Sequence, residues 1–147
     1  MKLISAKKSL GQNFLKDKNI SKKIINLINN YKEKNIIEVG PGLGALTDLI
    51  YEKKPKNLYL IEKDNSLYKN LLEKNYNKKN NFYIFNNDAL KFDFAKINKP
   101  KSIIGNLPYN ISIKLIINWI KDINQYEEIV LMIQKEVAEK MNYSKTN

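Results

Sequence analysis

The chain has 147 residues and a formal net charge of +11, which is enough length to bury a core within one domain. It contains no Cys and no His, which excludes disulfides, thiol nucleophiles, histidine bases and the common structural zinc sites, so no metal site is expected. All 26 basic residues are lysines, and such an excess indicates a polyanionic partner. No apolar run is long enough for a membrane span and no signal peptide is recognisable, so we expect a cytoplasmic protein with no membrane partner.

The first predicted element is a basic arm over residues 1–18. Residues 1–35 carry nine lysines against Asp17 and Glu33, so the N-terminal arm is the expected phosphate contact, and a solvated lysine-rich tail is the alternative. From Asn19, a predicted N-cap, apolar residues recur at helical spacing and predict the first helix. These apolar residues are Ile20, Ile24, Leu27, Ile28 and Tyr31.

The next stretch, residues 35–47, predicts a buried strand, a glycine turn and a helix start. The β-branched residues Ile36, Ile37 and Val39 are typical of a central parallel strand. Gly40, Gly42 and Gly44 follow as G-x-G-x-G, and glycines leave room for a ligand to approach the backbone. This spacing differs from the G-x-G-x-x-G of dinucleotide sites. Glu38 would repel a phosphate but attract a cationic amino group, so the turn favours S-adenosylmethionine as cofactor over a structural turn without a ligand.

The rest of the chain alternates between predicted helices and strands. Helices are expected over residues 43–53, 65–75 and 113–123, with a further helix from Lys135; strands are expected over 58–61, 82–85, 102–105 and 129–133. Ser112 is the predicted cap of the third of these helices, which is apolar on most sides and is expected to be buried. Five strands without hairpin signals between them predict a doubly wound α/β fold with a mainly parallel sheet.

Four predicted strand ends carry polar or glycine residues, and ligands of such sheets bind beyond the carboxyl ends of the strands. Besides the glycine turn after Glu38, these ends carry Glu62, Asp88 and the segment from Asn106 to Tyr109. A carboxylate at Glu62 can accept hydrogen bonds from both hydroxyls of a ribose. Asp88 can accept a hydrogen bond from the amino group of an adenine. For Glu62, a solvated charge at the strand end is the alternative interpretation.

The tetrapeptide N-L-P-Y, residues 106–109, predicts a site for an amino group on a planar base. Pro108 disfavours helical angles at Leu107, so the Leu107 carbonyl can face the site beside the Asn106 side-chain oxygen. Two neutral acceptors fit the two N–H groups of an exocyclic amine, while Tyr109 can stack on the ring. Methyl transfer to such a nitrogen needs positioning and electrostatics more than a strong base. A turn that uses Asn and Pro for backbone reasons alone is the alternative.

The sequence resembles the ribosomal RNA adenine N6-dimethyltransferases, and most closely those of the small subunit. The resemblance rests on K-K-S-L-G-Q-N-F-L, E-V-G-P-G-L-G-A-L-T, I-E-K-D, N-D-A-L-K-F-D-F, G-N-L-P-Y-N-I-S and M-I-Q-K-E-V-A-E-K-M, in this order. It implies a Rossmann-like S-adenosylmethionine-dependent enzyme that dimethylates two adjacent adenosines near the 3′ end of 16S rRNA, in the immature small subunit. The resemblance implies that Asn13 and Leu15 close over the cofactor and that Gly40 approaches it. It further implies that Glu62 holds the ribose of the cofactor and Asp88 holds its adenine. Asn106 would lie between the cofactor and the target adenine, and Tyr109 would stack on that adenine.

Two other functions are open at this point. The large-subunit methyltransferase of macrolide resistance shares Q-N-F-L and a similar tetrapeptide, although its glycine turn usually differs. A non-catalytic RNA-binding or ribosome-assembly protein could also retain the fold. Family members continue with two more strands and a small helical RNA-binding domain. We therefore expect residues 19–147 to form an incomplete methyltransferase domain, truncated after the fifth strand and monomeric, that binds the cofactor with little or no dimethylation.

Overall fold

The computed structural model describes residues 14–74, 76 and 80–142, which form an α/β fold around a five-stranded sheet. The strands lie in the order β3-β2-β1-β4-β5, and all four neighbouring pairs are parallel. The predicted doubly wound α/β class is therefore confirmed. The strands are β1 Asn35–Val39, β2 Asn57–Glu62, β3 Phe82–Asn86, β4 Lys101–Asn106 and β5 Ile129–Met132; the helices are α1 Lys18–Ile25, α2 Ala45–Glu52, α3 Asn65–Glu73, α4 Tyr109–Lys121 and α5 Lys135–Asn142.

The hydrophobic core has two layers, one on each face of the sheet. Side chains alternate along a strand, so Ile36 belongs to one layer and Ile37 to the other. The first layer includes buried residues of α1, α2 and α3, and the second includes Leu115 and Trp119 of α4. Because both faces are covered, all five residues of β1 are buried, as the β-branched run predicted.

The first helix differs from its prediction at both ends. Asp17, not Asn19, is the N-cap, because its carboxylate accepts hydrogen bonds from the N–H groups of Asn19 and Ile20. The helix ends at Ile25, and the chain continues through asparagine-rich residues 26–30 into a 3₁₀ turn at Tyr31–Glu33. Asparagine competes for backbone hydrogen bonds and favours such helix ends. Leu27 lies beyond the helix and is exposed, and Ile20 is also exposed, so the predicted apolar face is wrong at these two positions.

Two further helices begin at residues other than those predicted. Gly44, which has φ of 89°, is the N-cap of α2, so the helix begins at Ala45 and Leu43 remains exposed. Helix α4 begins at Tyr109, directly after Pro108, whose φ of −62° suits a helix start. The predicted Ser112 cap is therefore wrong: Ser112 lies in the first turn, and its hydroxyl donates to the Tyr109 carbonyl at 3.1 Å.

Helix α4 is also less buried than its composition predicted. Only one face of this crossover helix packs on the sheet, and its buried residues are Ser112, Leu115, Ile116 and Trp119. Ile117 and Ile120 are 49% and 56% exposed. The expectation of burial on most sides was wrong, because apolar composition does not tell how many faces of a helix are covered.

Strand β5 forms one edge of the sheet, and its four residues are half-buried. Among the helices of the described residues, none has the length and apolar character needed to span a bilayer.

Candidate active site

A cavity of about 310 Å³ lies where the carboxyl ends of the strands meet. The turn after β1, the end of β2, the residues after β3 and the ends of β4 and β5 all contribute to its wall, as expected for a parallel sheet. The predicted site residues that line it are Leu15, Glu38, Gly40, Gly42, Glu62, Asp88, Asn106, Leu107 and Pro108. The predicted alignment of four strand ends is thus confirmed.

The glycine turn presents bare backbone to the cavity. Gly40 has φ of 69°, a conformation that L side chains rarely adopt, and its N–H donates to the Ile61 carbonyl at 3.0 Å. A Cβ added at Gly40 would meet no atom closer than the Asn106 carbonyl oxygen at 3.9 Å, so the space in front of it is open. At Gly42 the added Cβ would lie 3.4 Å from the Phe14 ring, which also lines the cavity. A ligand can therefore approach the main chain closely at Gly40.

Glu38 is a buried carboxyl group in the wall of this cavity. Its side chain is almost fully enclosed, and the Thr47 hydroxyl donates to its Oε2 at 2.7 Å. Burial raises the pKa of Glu38 to about 8, because removal from water disfavours the charged form. Near neutral pH the carboxyl group therefore holds a proton for most of the time, and a cation placed beside it would cause its release.

Glu62, the last residue of β2, has a carboxylate whose orientation is fixed by main-chain donors. Its Oε1 accepts the Asp64 N–H at 2.8 Å, and its Oε2 accepts the Gly42 N–H at 3.1 Å. Burial raises the pKa of Glu62, although these hydrogen bonds act in the opposite direction. The bond to Gly42 connects the carboxylate directly to the glycine turn. Each carboxylate oxygen has a second lone pair, so Glu62 can accept further hydrogen bonds from a ligand.

Asp88 lines the cavity as an ion pair with Lys63. The Lys63 ammonium lies 2.8 Å from Asp88 Oδ2, and the Leu90 N–H donates to Oδ1 at 3.0 Å. The hydrogen bond from Lys63 lowers the pKa of Asp88, which keeps this carboxylate charged. Lys63 also lines the cavity and was not predicted as a site residue, although it follows Glu62 directly in the motif I-E-K-D.

The N-L-P-Y segment is divided between the cavity and the start of α4. Asn106, Leu107 and Pro108 line the cavity, and the Leu107 N–H donates to the Met132 carbonyl at 3.0 Å, which connects this segment to β5. Tyr109 is not among the lining residues. It is 38% exposed at the first position of α4, and its hydroxyl accepts a hydrogen bond from Lys140 Nζ at 2.8 Å.

Other residues of the site were missed by the sequence analysis or lie outside the structure. Phe14, Asn87 and residues 132–134 also line the cavity. The positions of Asn87 and residues 132–134 at strand ends could have indicated them, whereas Phe14 precedes α1 and has no such signal. The predicted cofactor residue Asn13 lies outside the described residues. Within residues 14–74, 76 and 80–142, no group of three or more acidic side chains is arranged to hold a metal ion.

The fold and the cavity define an α/β protein of the Rossmann-like methyltransferase class. A family model described as ribosomal RNA adenine dimethylase matches residues 4–146, so the chain belongs to that family. It is 50% identical over 139 residues to the ribosomal RNA small subunit methyltransferase A of Wigglesworthia glossinidia brevipalpis, covering 91% of this chain and 52% of that protein. The chain thus spans about half the length of the curated relatives it matches.

Two solved structures have the same fold over most of the chain. A dimethyladenosine transferase from Plasmodium falciparum is 30% identical, with a TM-score of 0.74, over 88% of this chain and 46% of that one. The 23S rRNA methyltransferase ErmE is 27% identical, with a TM-score of 0.73, over 90% of this chain and 52% of that one. The first is named a dimethyladenosine transferase and the second a methyltransferase, and both names agree with the class given above.

Proposed function

We propose that this chain binds S-adenosylmethionine in the cavity and provides the cofactor half of an rRNA adenine N6-dimethyltransferase. The observation that carries the proposal is the link between Glu62 and the glycine turn. The Glu62 carboxylate accepts the Gly42 N–H at 3.1 Å, so an acceptor for ribose hydroxyls lies beside the bare backbone of the same cavity. A turn without a ligand would need neither the open space at Gly40 nor a buried carboxylate beside it.

The residues around the cavity fit the parts of this cofactor. Glu62 would hold the ribose, and Asp88 would accept a hydrogen bond from the adenine amino group. Glu38 would face the cationic amino group of the amino-acid end, while Gly40 leaves room for the chain between them. Leu15 would cover the bound molecule, together with Asn13. A cavity of about 310 Å³ lies within the size range of cofactor sites, roughly 300–1,000 Å³.

The chemistry requires orientation of the target nitrogen. S-adenosylmethionine supplies an electrophilic methyl group on a sulfonium. In this chain, the Asn106 side-chain oxygen and the Leu107 carbonyl would accept the two N–H groups of an adenine amine, which frees the nitrogen lone pair for attack. Tyr109 would stack on the adenine ring, and the methylated amine would lose its proton to water. Positioning and electrostatics account for most of the rate enhancement in such a scheme.

We further propose that the substrate is small-subunit rRNA, at two adjacent adenosines near its 3′ end, in the immature subunit. Support comes from the relatives at 41–50% identity, whose names refer to the small subunit. The net charge of +11 suits a polyanionic substrate. With this function the protein would act in the cytoplasm, and we propose that the chain acts as a monomer.

Calorimetric titration with S-adenosylmethionine tests the cofactor assignment. Glu62→Ala should weaken binding about tenfold or more, because two ribose hydroxyls lose a charge-assisted acceptor worth roughly 1.5–3 kcal/mol. Glu52→Ala, which removes an exposed carboxylate at the end of α2, is the matched control and should bind like the wild type. No binding by the wild-type chain, or equal binding by Glu62→Ala, would refute the assignment.

Transfer of a labelled methyl group to immature small subunits tests the reaction. Asn106→Ala should abolish transfer and leave RNA affinity nearly unchanged, since lysine–phosphate contacts dominate that affinity. Because the chain spans about half the length of its relatives, the assay is repeated with the C-terminal half of a relative joined to it. Cofactor and RNA binding without transfer in that longer protein would favour the non-catalytic RNA-binding function.

A further inference from the structure

The ring of Tyr109 is held at its hydroxyl end by a lysine from another helix. Lys140 Nζ donates to the Tyr109 hydroxyl at 2.8 Å, although 31 residues separate the two. Lys140 lies on α5, which contacts α4, and the completely buried Val137 fixes α5 one turn earlier. The ammonium group is therefore presented by an anchored helix.

The two distances around this contact show which part of the ring Lys140 occupies. Lys140 Nζ is 2.8 Å from the hydroxyl oxygen and 5.4 Å from the ring centroid. The distance from Nζ to the centroid is close to the length of the hydrogen bond plus the distance from the ring centroid to the hydroxyl oxygen. The ammonium therefore lies beyond the hydroxyl and not above the ring. An ammonium in this position blocks neither face of Tyr109, and the ring is partly exposed. Lys140 thus restrains the edge of the ring and leaves its faces accessible to a planar base.

The charged side chains described around this contact lie on α5. The hydrogen bond with the Tyr109 hydroxyl raises the pKa of the Lys140 ammonium, and Glu136, one turn before Lys140 on α5, adds a smaller contribution in the same direction. The other charged pair of α5, Lys135 Nζ and Glu139 Oε1, is 3.5 Å apart and highly exposed. Lys135 therefore offers a matched control for removing one positive charge from the same helix.

We propose that Lys140 is a positioning residue for target recognition, which acts by fixing the orientation of the Tyr109 ring through its hydroxyl. This inference rests on the proposed function, in which Tyr109 stacks on the target adenine. A tyrosine side chain can rotate about its bonds to the backbone, and stacking requires one orientation of the ring. The hydrogen bond from Lys140 selects that orientation before the base arrives, which reduces the entropy lost on binding.

A fluorescent base analogue measures the stacking directly. The probe is an rRNA oligonucleotide with 8-vinyladenine at the target adenosine, a fluorescent analogue that keeps the 6-amino group and is quenched when the base stacks. Quenching by the wild-type chain should be lost in Tyr109→Ala. In Lys140→Met the affinity of the stacked state should fall about two- to fivefold, as expected for one solvent-exposed contact from a charged donor. Lys140→Arg should restore most of it, and Lys135→Met should behave like the wild type.

A double-mutant cycle separates this mechanism from simple attraction of RNA phosphates. Tyr109→Phe keeps the stacking faces and the Lys140 charge but removes the hydroxyl that connects them. If Lys140 acts through Tyr109, then Tyr109→Phe, Lys140→Met and the double variant should show the same loss. That loss should also persist at higher salt, where a phosphate contact would weaken.

Additive losses in the double variant, or a loss in Lys140→Met that disappears with salt, would overturn the inference. Quenching by Lys140→Met equal to the wild type would overturn it as well. S-adenosylmethionine affinity and thermal stability should be unchanged in Lys140→Met. Failure of the proposed function can therefore be distinguished from failure of the role of Lys140. A wild-type chain that binds no S-adenosylmethionine would refute the proposed function alone, whereas cofactor binding without any quenching would refute the role of Tyr109 and, with it, that of Lys140.

Discussion

The buried carboxyl group of Glu38 should make cofactor binding dependent on pH. Burial raises the pKa of Glu38 to about 8, so roughly nine-tenths of the free protein carries a proton there at pH 7. If the ammonium of the cofactor pairs with the carboxylate, binding must release that proton. Affinity should then increase about ninefold between pH 6 and pH 7, equivalent to about 1.3 kcal/mol. The α-amino group of the ligand titrates only near pH 8, so it remains a cation over this range.

Calorimetric titration at several pH values, in buffers of different ionisation enthalpy, measures both the affinity and the number of protons released. The wild type should release about 0.9 proton at pH 7. Glu38→Gln should show neither the pH dependence nor the release, while its amide oxygen can still accept the Thr47 hydroxyl. An affinity that is equal at pH 6 and pH 7 in the wild type would refute the reasoning. A dependence that persists in Glu38→Gln would assign the proton to another group, of which Glu62 is the first candidate because burial raises its pKa as well.

Two stability predictions concern parts of the sheet away from the cavity. Lys34→Met should lower the free energy of unfolding by about 2 kcal/mol in urea, because it removes the buried partner 2.7 Å from Glu128. Partial burial acts to raise the pKa of Glu128, but hydrogen bonds from Lys34 and Ser102 lower it below its usual value. The stability from this pair is therefore present near neutral pH and is lost as the pH falls through the lowered pKa. Acid unfolding that is identical in Lys34→Met and the wild type would contradict this. Gly105→Ala should destabilise the fold by about 2 kcal/mol, since its Cβ would lie 2.6 Å from the Val39 carbonyl oxygen, and an unchanged melting temperature would count against this contact.

The sheet could be predicted from the sequence because each strand is locally encoded. A β-branched run such as Ile36–Ile37 is buried on both faces only in a parallel sheet covered by helices. The alignment of Glu62 and Asp88 with the glycine turn followed from the same reasoning, because all parallel strands end at one edge. No such local signal tells which strands are neighbours, so the order β3-β2-β1-β4-β5 was not predicted.

The partners of the site residues could not be predicted, because they come from distant parts of the chain. Lys63 reaches Asp88 across 25 residues, and its place after Glu62 gave no reason to expect an ion pair there. Glu38 was expected to be a charged carboxylate, whereas burial raises its pKa to about 8. That shift depends on complete burial in the fold, which the neighbouring sequence does not show. The predicted helix ends were wrong for a related reason. Several side chains near residue 17 could cap α1, and only the three-dimensional geometry shows that Asp17 does so.

The candidate site and the contacts of two buried lysines lie at opposite ends of the strands. The cavity is built from the carboxyl ends, whereas Lys34, Lys101 and Glu128 lie at the amino ends of β1, β4 and β5. There, Lys34 joins β1 to the residues before β5, and the buried Lys101 ammonium donates to two main-chain carbonyls at 2.8 Å each. A substitution at these lysines should therefore lower stability and leave cofactor affinity unchanged in the folded protein. This separation makes Lys34→Met a control for the cavity variants. If Glu62→Ala is at least as stable as Lys34→Met, its loss of affinity at a temperature where Lys34→Met still binds normally is not due to weakened folding.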